Sequence, residues 1–185
     1  MKKVKNGFKI LIISLLFLFG LFTIMLLYFN ISYSKKYSNI ITENLQSITI
    51  NNSSLTKNFI LSIIKQESKF NKIARSSSDA FGLMQLTYPT AKEVASKLNL
   101  EITIEDLYKP EINIKLGINY INYLFTIFND KQLVLISYNA GFNKVKSWQE
   151  NNELIYKNGI YTTPYGETNN YLKKVLHNEK IYNLI

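Results

Sequence analysis

The sequence contains no cysteine and a single histidine, His177, in 185 residues. Disulfide frameworks, Cys-based zinc sites and Cys nucleophiles are therefore excluded, along with any site built from two histidines. A transition-metal enzyme is close to excluded, and no cofactor is implied. Acids are also scarce, with 13 Asp and Glu against 22 Lys and Arg, for a formal charge of +9. Much of that excess lies before residue 40, in Lys2, Lys3, Lys5, Lys9, Lys35 and Lys36. From residue 50 onward, 16 basic residues face 12 acidic ones, leaving +4. This remainder suits an anionic partner but is too small to argue for nucleic acid, and no groove-reading motif accompanies it.

Charge is missing altogether from residues 10–29, ILIISLLFLFGLFTIMLLYF. Twenty helical residues at ~1.5 Å each span about 30 Å, the thickness of a bilayer's hydrocarbon core. Four lysines precede the segment, so residues 1–9 read as a cytoplasmic basic tail and residues after about 30 as exported. The implied location is a cell membrane, single-pass, with membrane lipid as a partner through residues 10–29. A cleavable signal peptide is the competing reading, but the exit Tyr28-Phe29-Asn30-Ile31-Ser32-Tyr33 offers no small-residue cleavage site. Residues 30–54 are rich in Ser, Asn, Thr and Lys without a firm period, and read as a partly ordered stalk. A domain over 55–185 follows.

That domain reads as all-α, with roughly six helices. In Leu55 to Phe70 the apolar residues Phe59, Ile60, Ile63 and Ile64 recur at helical spacing, and Glu67 continues the stripe. A carboxyl on the core side has its charged form disfavoured, which is what a general acid near neutral pH requires. On the stripe alone, a charge turned to solvent at the helix end explains Glu67 better. Further helices are expected up to about Leu98, over Pro110–Asn129, over Leu133–Gly141, at Val145–Gln149 and over Glu167–His177. The second of these should bury Ile112, Leu116, Tyr120, Tyr123, Leu124 and Ile127. Asn151 to Gly166 reads as a loop, Trp148 as either core or a sugar-stacking ring, and His177 as a partner of its helix dipole.

Four separated blocks occur in order: Gln66-Glu67-Ser68-Lys69-Phe70-Asn71, Gly82-Leu83-Met84-Gln85-Leu86, Ser137-Tyr138-Asn139-Ala140-Gly141 and Glu167-Thr168-Asn169-Asn170-Tyr171. Together they resemble the lytic transglycosylases of the soluble-transglycosylase type, whose domain is goose-lysozyme-like, over about residues 55–180. Asp79-Ala80 stands where that family usually has Gly-Ala, and Pro89 falls one place late, both in the loop that shapes the cleft. The resemblance implies cleavage of the β-1,4 bond between N-acetylmuramic acid and N-acetylglucosamine in peptidoglycan. It also implies Glu67 as the catalytic acid/base, Ser68 orienting its carboxyl group, and Gln85 contacting the sugar near the cleaved bond. Tyr138 and Asn139 would line the muramic acid subsite, and Tyr171 would stand near the glutamate.

Ordinary glycosidases need two carboxylates, whereas a single one requires the substrate to supply the missing group. The expected product is then a 1,6-anhydromuramyl end. Two other readings stay open: a hydrolytic muramidase using a second acid such as Asp79, and a noncatalytic, membrane-tethered wall-binding scaffold. Asp130 and Glu167 read as helix-end residues. Glycan strands of peptidoglycan and envelope machinery are the expected partners.

Overall fold

The computed structural model describes residues 2–185 and divides into two units, Met1–Ser34 and Lys35–Ile185. Met1 of the expected basic tail lies outside the described residues, and the tail's lysines are described only as helical backbone. The first unit is one helix, α1 (Lys2–Ser32), longer than the apolar segment that prompted it. Its stretch Ile13–Ile31 has a mean hydropathy of 2.1 and buries nothing, so a membrane can take up the whole surface.

The second unit is helical. After α2 (Ser38–Gln46) and α3 (Lys57–Ser68) comes a small hairpin of β1 (Ala80–Phe81) and β2 (Leu86–Thr87). Helix α4 (Tyr88–Lys97) and a 3-10 turn (Glu105–Tyr108) precede α5 (Pro110–Phe128), α6 (Lys131–Ala140) and α7 (Phe142–Glu150). A second hairpin, β3 (Ile155–Lys157) with β4 (Ile160–Thr162), leads into α8 (Gly166–Tyr182). All six expected helices are present, and their ends follow the local chemistry. Thr56 caps α3 by accepting from the Phe59 N–H at 3.2 Å, and Asp130 caps α6 through Gln132 and Leu133 at 2.8 and 3.0 Å. Pro110 opens α5, and Gly141 at φ 92° separates α6 from α7.

Helix α5 runs through the centre, with α2, α4 and α6 packed around it, so its buried surface wraps beyond one stripe. Ile114, Leu116, Gly117, Ile118, Ile121, Leu124 and Phe125 are buried, while Tyr123, expected in the core, is 39% exposed. Helix α3 lies along α8, the tightest pairing in the body, and contributes Phe59, Ile60, Ile63 and Ile64 as expected.

Several expectations are corrected. Of the partly ordered stalk expected over residues 30–54, the part from Lys35 onward belongs to the body: α2 packs on α3 and α5, and Tyr37 and Ile41 are buried. The Tyr37 ring stacks on Phe70 at 6.5 Å, and Asn122 holds Asn51 and Thr49 through side-chain hydrogen bonds of 3.0 and 2.9 Å. Asn151–Gly166 contains the second hairpin rather than only loop. Trp148 is core, 5% exposed and edge-on to Tyr165 at 5.0 Å. His177 is exposed and more than a turn short of the end of α8 at Tyr182, too far in to complement its terminal dipole.

Candidate active site

The C-terminal end of α3 delivers Glu67 to a place where four pieces of chain meet: α3 itself, the β1–β2 turn, the end of α6 and the start of α8. Lys69, in the left-handed conformation at φ 51°, stops α3 just beyond the acid. The residue keeps some accessible surface, yet its carboxyl group is closely surrounded by protein. Burial pushes its pKa from the usual 4.5 up to about 7, against the opposing pull of the Tyr171 hydroxyl. Glu67 is thus a carboxyl group that holds its proton near neutrality.

Two tyrosines share this pocket. The Tyr171 hydroxyl is sealed from solvent, acts on the Glu67 carboxyl at close range, and makes no well-aligned hydrogen bond. Tyr138 donates its hydroxyl proton to the Met84 carbonyl at 2.6 Å. Burial first, and then the negative charge of Glu67, raise both phenols well above their usual pKa, so both remain protonated donors. The Tyr138 ring lies 5.7 Å from that of Tyr120, whose pKa burial lifts to about 12.

The β1–β2 turn, Gly82 to Gln85, forms the other wall. Gly82 has φ 74°, and a Cβ there would collide with the Leu107 carbonyl and the Asn113 side chain. Gln85 is itself left-handed at φ 47°, and its amide donates to the carbonyls of Gly82 at 2.8 Å and Ala74 at 3.2 Å. With the NH2 group so committed, the amide oxygen is the part left to face a ligand. Asn139 follows Tyr138 in the last turn of α6, half-buried.

Ser68 takes a part other than the expected one. It is 8% exposed, and its hydroxyl lies 2.8 Å from the Leu83 carbonyl and 3.2 Å from that of Ile64. It ties the β1–β2 turn to α3 rather than orienting the carboxyl group. Asp79, the second acid that a hydrolytic reading needs, is exposed and held by Arg75 through contacts of 3.0 and 2.7 Å. No group of three or more metal-ligating side chains occurs among the described residues.

Two features were not identified from sequence. Asn113, fully buried on α5, accepts from the Met84 N–H at 2.7 Å and donates to the Phe81 and Leu107 carbonyls at 2.9 Å each. The signal was a lone amide beside an apolar stripe, which reads as the solvent edge of a helix. Tyr120 lines an open cleft of about 560 Å³ with Thr90, Gly141, Asn143 and Lys144, instead of serving only as core.

The chain is similar to several known proteins. Residues 45–158 match the family model of the transglycosylase SLT domain. A Haemophilus influenzae protein assigned as a soluble lytic murein transglycosylase is 33% identical over 162 residues, covering 85% of this chain and 26% of that protein. The membrane-bound lytic murein transglycosylase E of Buchnera aphidicola is 37% identical over 79 residues, 41% of this chain and 36% of its own. The crystal structure of the Pseudomonas aeruginosa lytic transglycosylase Slt, an inactive variant with one glutamate changed to glutamine, superposes with a TM-score of 0.69 at 28% identity. It covers 82% of this chain and 24% of that one. The chain thus spans about a quarter of the length of the Haemophilus and Pseudomonas proteins.

Proposed function

The chain belongs to the transglycosylase SLT family, and from that premise we propose that it is a membrane-anchored lytic transglycosylase acting on peptidoglycan glycan strands. The observation that carries the reading is one buried carboxyl group, Glu67, with its pKa near 7 between two protonated phenols. One protonated acid suffices if the substrate supplies the second group. Glu67 donates its proton to the glycosidic oxygen as the bond from C1 of N-acetylmuramic acid to that oxygen breaks, and the N-acetyl oxygen of the same sugar stabilises C1. The Glu67 carboxylate then accepts the proton of the 6-hydroxyl while O6 bonds to C1 and displaces the acetyl oxygen. Glu67 ends protonated, as it began, and no water is consumed.

Tyr171 fits the second half of this cycle, because a donor near the carboxyl group stabilises its charged form. Gln85 and Asn139 offer amides to the sugar beside the cleaved bond. The four lysines ahead of the apolar helix favour an N-terminus in the cytoplasm and a catalytic body outside it. The Buchnera relative, by its name, is membrane-bound.

The test is mass spectrometry of fragments released from purified peptidoglycan by the full chain, wild type beside Glu67→Gln. Anhydromuramyl ends that fall by about 10²-fold or more in the variant are the expected result. Hydrated reducing ends would replace this reading with hydrolysis, and no release by the wild type would leave a wall-binding scaffold. Activity should decline above about pH 7, since the acid must enter the cycle protonated.

A further inference from the structure

Both backbone polar groups of Met84 are taken by side chains from distant helices. Its N–H donates to Asn113 of α5 at 2.7 Å, and its carbonyl accepts from the Tyr138 hydroxyl of α6 at 2.6 Å. The Met84 side chain is fully buried against Gly117, where an added Cβ would strike the Met84 sulfur. Asn113 also holds the neighbouring Phe81 carbonyl, so it fixes the turn at two points. The next residue, Gln85, carries the strain: it is not glycine, yet it stands at φ 47°, which an L-residue adopts only at a cost.

We infer that Asn113 and Tyr138 are positioning residues that clamp Met84 and so hold Gln85 in its left-handed conformation, amide oxygen presented to the sugar. This gives Tyr138 a role different from the substrate contact expected of it. Its hydroxyl has one proton and that proton is spent on Met84, so Tyr138 has no hydrogen-bond donor left for substrate. It also explains a fully buried asparagine on α5 that meets the wall of the site from behind, through the Met84 N–H. Strain of this kind persists only where the surroundings over-determine it.

The inference rests on the proposed glycan cleavage, and it is tested by a double-mutant cycle on the full chain in detergent micelles. Tyr138→Phe removes the hydroxyl and keeps the ring, and Gln85→Ala removes the presented amide. Peptide-free glycan strands of alternating N-acetylglucosamine and N-acetylmuramic acid are the substrate. If the clamp acts through Gln85, each single change lowers kcat/KM by about tenfold and the pair by about the same tenfold, because the second change finds nothing left to lose. A pair that falls by about a hundredfold would overturn the inference, showing that Tyr138 meets the substrate independently.

Thermal unfolding fixes the folded fraction of each variant, and Asn113→Ala is added with the same coupling expected. Should Asn113→Ala fail to fold, the Tyr138→Phe cycle stands without it. Amide hydrogen exchange separates this idea from the function beneath it. Faster exchange at Met84 and Gln85 in Tyr138→Phe, with the rest of the body unchanged, supports the clamp even if the wild type cleaves nothing. Unchanged exchange there refutes it whatever the activity.

Discussion

The body holds two β-hairpins, each with a glycine at positive φ in its turn, 74° at Gly82 and 80° at Gly159. Around Gly82 the main chain is buried, and side chains 15, 29 and 54 residues away in sequence reach in to satisfy it, from Ser68, Asn113 and Tyr138. Around Gly159 the chain is open. Ile155 and Tyr156 are about 60% exposed, and Gln132 ties the strands to α6 at 2.8 and 3.0 Å. A turn open to water is tied down by one side chain, Gln132, and leaves the rest of its polar groups to solvent, whereas a buried turn must recruit several partners from the rest of the fold. The recruited turn is the one beside the acid.

The sharpest way to break this contrast is to put the same methyl group on both glycines. Gly82→Ala should lose about 4 kcal/mol, combining left-handed strain with a collision against the Leu107 carbonyl and Asn113. Gly159→Ala has nothing within 4 Å and should lose only about 1 kcal/mol of backbone strain. Equal losses in chemical denaturation would show the buried turn to be more yielding than its contacts imply.

Next in size is the acid beneath the clamped turn. The folded-state pKa of Glu67 is raised, so its neutral form is favoured and stability is greatest below the unfolded value of 4.5. Stability is then lost as pH climbs through the folded value of about 7, by about 3 kcal/mol in full. Glu67→Gln should therefore melt higher than wild type at pH 8 and much closer to it at pH 5. A gap that does not change with pH would remove burial as the cause of the shift.

Smaller still is Gln132→Ala, which frees two partly exposed hydrogen bonds and should cost about 1 kcal/mol, read as faster amide exchange confined to residues 155–162. At the bottom stands Asp79→Asn, which weakens an exposed ion pair worth at most about 0.5 kcal/mol and should leave cleavage intact. Loss of cleavage there would revive the second carboxylate.

The same contrast explains what could be read from sequence. The first block carried Glu67 on an apolar stripe, and the helix starts and stops at Thr56, Pro110, Asp130 and Gly141 had residues whose chemistry is local. Asn113 could not be read that way, because its three partners lie on other elements and an amide in a helix gives no sign of what it will meet. Helix α2 escaped for another reason: Ile40, Ile41 and Leu45 are its only apolar residues, and two buried side chains, Tyr37 and Ile41, make no period. The second hairpin did carry a legible signal. Asn158 and Gly159, both at positive φ, separate Ile-Tyr-Lys from Ile-Tyr-Thr, the pairing that a two-residue turn demands. Tyr123 was misjudged because a helix surrounded by neighbours has no single inner face.

The docking of α2 sets where the protein can be cut. Composition changes near residue 50, and trimming there to obtain a soluble enzyme would strip Tyr37 and Ile41 from the core and leave Phe70 without its stacking partner, just beyond the acid. Asn122 would lose Thr49 as well. A soluble form should begin at Lys35, where the body itself begins.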